Sequence, residues 1–361
     1  MSAVMAPAAV PAGRLMLLGT GTVGTAFVQR HQRLHHRGLT LPTLAWLANS
    51  RTARPCGDSP AKALQQANAT LRDGSAPSPR WSDVDGLQPG DLVVDATASD
   101  AVADRHAPWL ARGVHVVTAN KLGQGAHLAR ARAIAAGCRN SGARYGDGAT
   151  VGAGLPVLNS LRALRAGGDR IQRVEGVLSG SLAWLFHHYD GQRPFSAWVD
   201  DALHAGYTEP DPRVDLSGED VRRKLLILAR ASGIDLNVDQ VQVSSLVPAS
   251  LAALPLPPSP AAFEPLDAPL LALWRQAQST RGCLRFIGGF DRNGAQVGLR
   301  IVDRDDPLAG GAGTDNRVVI HSDRYAVQPL VIQGPGAGAD VTAAALLDDV
   351  LRITCETRPI R

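Results

Sequence analysis

Residues 14–38 read RLMLLGTGTVGTAFVQRHQRLHHRG: a short apolar run, glycines spaced GxGxxG, then a helix-compatible stretch that closes on Gly38. No other segment constrains the fold as strongly. Gly19 allows the tight turn out of a strand, Gly21 lets backbone approach a pyrophosphate, and Gly24 lets helix and strand pack closely. The N-terminus of the helix then faces the phosphates with unpaired N–H groups and a favourable dipole. The segment predicts a dinucleotide-binding domain.

A second strand over 43–48 ends in Asn49-Ser50-Arg51. An NAD site places Asp or Glu about here to hold the ribose 2′-hydroxyl, and none is present. Ser50 and Arg51 could hold a 2′-phosphate instead, with Arg54 as a further candidate. NADP(H) is therefore expected over NAD(H). Further strands are predicted over 91–98 and 114–120, each ending in small or polar residues, and Lys121 follows the second directly. Ligands bind at that end of the strands in open α/β sheets. A helix over 127–137 leads to the glycine-rich stretch 143–156, where a domain boundary is expected.

Of the 37 basic side chains, three are lysines (Lys62, Lys121, Lys224), which leaves 34 arginines. A lysine that persists against such a bias marks a place where a compact amine is needed, since arginine is larger, planar and effectively never deprotonates. Lys62, in a helix-like run, reads as a solvated face. The net charge of +4 is spread over scattered arginines, with no basic block to track a phosphate backbone, so no nucleic-acid partner is expected. Cys56, Cys138, Cys283 and Cys355 form no CxxC pair and read as reduced thiols of a cytoplasmic protein. No apolar run approaches the ~20 residues that span a bilayer. Residues 1–13 lack a basic start and an apolar core, and read as a disordered tail.

At 361 residues there is room for two domains. In the second, residues 206–230 read GYTEPDPRVDLSGEDVRRKLLILAR. Pro210 and Pro212 should hold an extended stretch that displays Glu209, Asp211 and Asp215, and Ser217 should cap a helix carrying Asp220 and Lys224. Those two share a face at i, i+4. A solvated pair would be worth only about 0.3–0.5 kcal/mol, but the apolar LLILA that follows implies a buried helix, where charges need partners or a ligand. His187-His188 and the group His31, His35 and His36 lack the carboxylates or cysteines that would complete a metal site. Residues 246–269 are Pro/Ala-rich and read as an irregular connection. Strand-like runs from Cys283, Val297 and Arg317 suggest a mainly antiparallel sheet. Near the end, PLVIQGPGAGADVTAAALLDDVLRI repeats strand, glycine turn and helix, and this helix is expected to return to the first domain.

Taken together, these segments resemble homoserine dehydrogenases over residues 14–352. The marks are GTGTVG, VVTANK at 116–121, ATVGAGLP at 149–156, GVLSGSLAWLF at 176–186, the 206–230 run and YAVQPLVIQGPGAG at 325–338. The wording is most similar to the dehydrogenase half of bifunctional aspartokinase–homoserine dehydrogenases. The short stretch beyond the last helix leaves no expectation of a regulatory ACT domain.

The resemblance implies reversible reduction of L-aspartate 4-semialdehyde to L-homoserine by NAD(P)H, in threonine and methionine biosynthesis. Gly19, Gly21 and Gly24 would cradle the pyrophosphate with Thr22 and Val23, while Asn49, Ser50 and Arg51 are candidates for the cofactor by their place after the second strand. Thr97 and Lys121 would border the nicotinamide ribose. Glu209 and Asp220 match acids that hold the substrate's amino group or its water, Asp215 a supporting acid, and Lys224 the proton donor. Two lysines near one oxygen would repel each other and ease proton transfer, in a cleft between the domains. A monovalent cation (Na+) would sit on the backbone carbonyls of Val151, Ala153 and Leu155, but the acid usual three residues before the valine is here Gly148, with Asp147 one residue earlier. Val214 also departs from the pattern, where a further Asp is common.

The expected fold class is α/β. A Rossmann-type parallel-sheet nucleotide domain over 14–150, completed by 325–361, would join an α+β substrate and dimerisation domain over 151–324. By the same resemblance the protein would be a homodimer acting on a small-molecule substrate.

Overall fold

In a computed structural model, residues 13–72, 86–255 and 258–356 are described, so the tail expected over 1–13 lies almost wholly outside the described residues. The chain divides into two units, one of residues up to Gly154 and from Ala337 onward, the other Leu155–Gly336. Among the described residues no helix is long and apolar enough to cross a membrane.

The first unit grows from short strands, of which Leu15–Leu18, Leu92–Asp95 and His115–Thr118 have every side chain buried, as expected in a parallel sheet covered on both faces. In chain order it contains β1 (Leu15–Leu18), α1 (Thr22–His36), β2 (Leu44–Ala48), β3 (Ala53–Pro55), α2 (Pro60–Arg72) and β4 (Leu92–Asp95). There follow α3 (Asp100–Ala103), α4 (His106–Ala111), β5 (His115–Thr118), α5 (Leu128–Ser141) and β6 (Tyr145–Gly146). The strands lie in the order β3-β2-β1-β4-β5-β6, parallel except for β3 against β2. Alternate side chains of β1 serve the two faces. Leu15 and Leu17 join one core with Phe27 and Val28 of α1, while Met16 and Leu18 join the other with Trp109, Leu110 and Ile134. The strands are shorter than the apolar runs suggested, and α5 extends past residue 137 until Gly142, at φ +76°, stops it.

The second unit contains α6 (Val157–Ala166), β7 (Ile171–Val177), α7 (Gly180–His188), α8 (Phe195–His204), α9 (Pro212–Leu216) and α10 (Glu219–Ala231). It continues with β8 (Val241–Val243), α11 (Ala249–Ala252), α12 (Asp267–Ser279), β9 (Gly282–Asp291), β10 (Gly294–Asp303), β11 (Asp315–Ser322) and β12 (Leu330–Pro335). Its sheet runs β12-β11-β7-β9-β10-β8, antiparallel except for β8 beside β10. Helices α7, α10 and α12 pack on β9.

Four expectations need correction. The stretch after Pro210 is not extended: Asp211 caps α9 by accepting the Arg213 N–H at 3.1 Å, and Pro212 supplies the fixed φ of a first helical residue. Ser217 is not the cap of α10. Gly218, at φ +77°, takes that position, and the Ser217 hydroxyl accepts from Glu219 N at 3.2 Å. The 246–269 connection holds α11 and a 3₁₀ turn over Pro260–Leu266 that runs into α12. Residues 325–336, expected with the nucleotide domain, lie in the second unit because β12 pairs with β11. The last helix, α13 (Ala339–Glu356), packs on α1 in the first unit.

Candidate active site

In the first unit the three glycines carry distinct loads. Gly19 sits at φ +99°, and a Cβ there would lie 2.7 Å from the Ala96 carbonyl oxygen. A Cβ at Gly24 would lie 1.9 Å from the Gly19 carbonyl oxygen, so helix and strand meet only through glycine, whereas a Cβ at Gly21 would meet nothing within 4 Å. Gly21 and Thr22 are exposed where α1 begins, and Val23 is half-buried. Gly21 and Thr22 open onto a groove of about 590 Å³ lined also by Thr20, Asn68 and, from α13, Ala339 and Asp340. Such a groove against a helix N-terminus suits a pyrophosphate.

Asn49 faces inward. Its amide donates to Thr20 Oγ1 at 3.2 Å and to the Ala67 carbonyl at 2.9 Å, and its Oδ1 accepts from the N–H groups of Arg51 and Thr52. It shapes the turn that leaves Ser50 and Arg51 exposed, and has no capacity left for a ligand. Thr97 and Lys121 follow β4 and β5, both half-buried. Behind them lies a group that sequence reasoning missed: Asp95 and His106, each fully buried, with Asn120. The only legible signal was an acid ending an apolar strand. Lys62 is exposed on α2.

The loop at Gly148 lies against Asp349 of α13. A Cβ at Gly148 would lie 3.1 Å from Asp349 Oδ2, and that oxygen already accepts the Gly148 N–H at 2.8 Å. Asp349 also pairs with Arg352. A carboxylate from α13 thus fills the space of the missing acid, and a guanidinium balances it. Asp147, one residue earlier in the same loop, is buried. Among the described residues no group of three or more His, Cys, Asp and Glu side chains could hold a metal ion.

The second unit gathers the acids and Lys224. Its ammonium, on a residue 8% exposed, donates to the Leu178 carbonyl at 2.6 Å and pairs with Asp220 Oδ2 at 2.8 Å. Leu178 is positioned by the end of β7, and its carbonyl also accepts from Asn316 Nδ2 at 3.2 Å. Asp215 accepts from Ser181 Oγ at 2.7 Å and from Glu209 N at 2.9 Å, which ties α7 to the loop that exposes Glu209. Burial pushes the Asp215 carboxyl above the usual range, and the charges of Glu209 and Asp220 add to it against those two hydrogen bonds. Ser181 stood in the quoted GVLSGSLAWLF without a role assigned. His188, by contrast, bonds through Nδ1 to the Trp184 carbonyl and lies against the Trp184 ring, an aromatic packing position.

These arrangements can be set beside known proteins. The family model for homoserine dehydrogenase matches residues 156–351, and that for the homoserine dehydrogenase NAD-binding domain matches 19–145. The chain belongs to the homoserine dehydrogenase family. It is 34% identical to the homoserine dehydrogenase of Emericella nidulans over 94% of this chain and 97% of that one. It is 41% identical to bifunctional aspartokinase/homoserine dehydrogenase 2 of Zea mays over 73% of its own length, and spans only 29% of that relative. A crystal structure of a Candida auris protein of unknown function has the same fold, with a TM-score of 0.83 and 31% identity over 96% of this chain and 99% of that one. In this chain Asp349 fills the space beside Gly148, and Val214 is exposed.

Proposed function

We propose that this chain catalyses the reversible reduction of L-aspartate 4-semialdehyde to L-homoserine by NAD(P)H, with Lys224 as proton donor. The observation that carries the reading is the hold on Lys224, a buried ammonium fixed between a carbonyl and the Asp220 carboxylate beside the acids Glu209 and Asp215.

The cofactor, when bound, supplies a hydride to the aldehyde carbon. An aldehyde, NAD(P)H and a proton thus become an alcohol and NAD(P)+. Charge develops on the carbonyl oxygen as the new C–H bond forms, and an ammonium within hydrogen-bond reach both stabilises that charge and delivers the proton. Asp220, one turn before Lys224, favours the charged amine and fixes its direction. Glu209 and Asp220 hold the substrate's amino group or its water. Asp215 supports Glu209 by accepting its backbone N–H. Gly19, Gly21, Thr22, Val23 and Gly24 cradle the pyrophosphate, and Thr97 and Lys121 border the nicotinamide ribose.

NADP(H) is the preferred cofactor in this reading. Ser50 and Arg51 are exposed after β2, and residues 49–51 include no acid, which favours a 2′-phosphate over a free 2′-hydroxyl. A homodimer, and a place in threonine and methionine biosynthesis, follow from family membership. The four unpaired thiols fit a reducing, cytoplasmic setting, and burial pushes those of Cys56 and Cys138 up to about 11.

Absorbance of the reduced nicotinamide, followed with homoserine, malate and lactate in turn, tests the proposal. Turnover is expected with homoserine alone, and with a higher kcat/KM for NADP+ than for NAD+. Turnover of malate or lactate without homoserine would overturn the substrate, and a preference for NAD+ would overturn the cofactor assignment.

A further inference from the structure

Two strand ends of the first unit meet on one buried carboxylate. Asp95 ends β4, and its Oδ1 accepts from the Thr97 N–H at 2.9 Å and the Thr97 hydroxyl at 2.6 Å. Its Oδ2 accepts from Asn120 Nδ2 at 3.0 Å and faces His106 Nε2 at 3.0 Å. Asp95 and His106 are both fully excluded from solvent. An ionised carboxylate only accepts, so Nε2 is the donor in this pair when Asp95 is ionised. His106 Nδ1 in turn faces the Tyr145 hydroxyl of β6 at 3.1 Å. The packing leaves no slack, since a Cβ on Gly123 would lie 2.3 Å from that hydroxyl and 3.0 Å from His106 Nδ1.

The same carboxylate reaches the lysine loop through Asn120. Besides Asp95, the Asn120 amide donates to the Ser99 carbonyl at 2.9 Å, and its Oδ1 accepts from Leu122 N at 3.1 Å. Its backbone N–H is held by Thr118 Oγ1 at 2.8 Å. Both neighbours of Lys121 are therefore held, Asn120 by Thr118, Asp95 and Ser99, and Leu122 by the Asn120 side chain. A carboxylate taken out of water needs its acceptor sites filled, and four donors over-determine its orientation. Without the His106 donor, Asp95 must turn or admit water, and Thr97 and Asn120 move with it.

We propose that His106 is a positioning residue of the cofactor site, acting through Asp95 on Thr97 and on the Asn120-Lys121 pair. This rests on the reading above that Thr97 and Lys121 border the nicotinamide ribose. No contact of His106 with cofactor or substrate is required.

The test compares His106→Leu with His106→Gln, whose amide N–H reaches the place of Nε2. NADPH binding is titrated without substrate, thermal stability is measured beside it, and steady-state constants follow. His106→Leu should weaken NADPH binding by at least ~10-fold, the loss expected of one bond to a charged group. It should raise KM for the nicotinamide and leave KM for homoserine unchanged, a split that mere loss of folded protein would not produce. His106→Gln should bind within roughly threefold of the wild type. Should the leucine variant not fold, His106→Asn takes its place, because its shorter amide reaches only the Nδ1 position and should lose NADPH affinity as leucine does. Unchanged NADPH affinity in a folded leucine or asparagine variant overturns the proposal, as does a glutamine variant no better than leucine. A wild type that binds NADPH but leaves homoserine unoxidised would sink the substrate reading alone, and the His106 comparison would still decide this one.

Discussion

Glycine at positions 21 and 24 answers two different demands. Gly24 is required by the protein itself, since its Cβ would fall 1.9 Å from the Gly19 carbonyl oxygen. Gly24→Ala should therefore cost about 1–3 kcal/mol of stability, the usual cost of overpacking. Gly21 is required only by what binds, because a Cβ there meets nothing within 4 Å. Gly21→Ala should leave stability within about 0.5 kcal/mol and weaken NADPH binding about tenfold or more, a loss of ~1.4 kcal/mol. Thermal unfolding and NADPH titration on the two variants check this pair, and equal losses of stability would contradict it. Both glycines were legible in the sequence because GxGxxG stands between a strand and a helix. Asn49 was not legible as a structural residue: its type says amide, but only the fold shows that Thr20, Ala67, Arg51 and Thr52 use up all its bonds. His106 was hidden for the same reason, since its partners are distant in sequence.

At the level of elements, β1, β2, β4 and β5 of the first unit announced themselves as short, mostly apolar runs. β7 did not, although it lies at the centre of the second sheet. Its sequence IQRVEGV carries Glu175 into a buried position, where Arg300 at 2.8 Å and Arg173 at 3.3 Å compensate it, so the apolar pattern of a strand is broken. α9 was obscured by its prolines, which read as extended until Asp211 is seen capping the turn. The clamp between the starts of β1 and β4 gives this scale a test. Burial alone would raise the Asp91 carboxyl, but the Arg14 side chain and the N–H groups of Gln88 and Arg14 hold it below its ordinary 3.8. A carboxyl lowered on folding contributes stability that is complete above its unfolded value and is lost as the pH falls through the folded one. Asp91→Asn should thus be less stable at neutral pH by about 1–3 kcal/mol. The gap to the wild type should close on acidification below the ordinary value. A gap that stays constant from neutral pH to roughly pH 3 would contradict the clamp.

Over the whole molecule, the scarcity of lysine was the most informative single fact, and it separates the three by role. Lys62 is exposed on α2, Lys121 follows a strand of the nucleotide-binding unit, and Lys224 is buried in the second unit against Asp220 and the Leu178 carbonyl. The division of labour was legible only in part. Strand, glycine turn and helix mark the nucleotide unit without ambiguity, whereas residues 325–336 look like a second such motif and instead close the other sheet. The pattern is local, but strand pairing is decided by distant partners. The chemistry proposed for the molecule turns on an amine that gives up a proton, which a guanidinium does not do. The measurement that tests it most directly is turnover of Lys224→Arg with homoserine beside an NADPH titration of the same protein. The proposed chemistry predicts a loss in kcat of at least ~100-fold with NADPH affinity unchanged; near-normal turnover in that variant would contradict it.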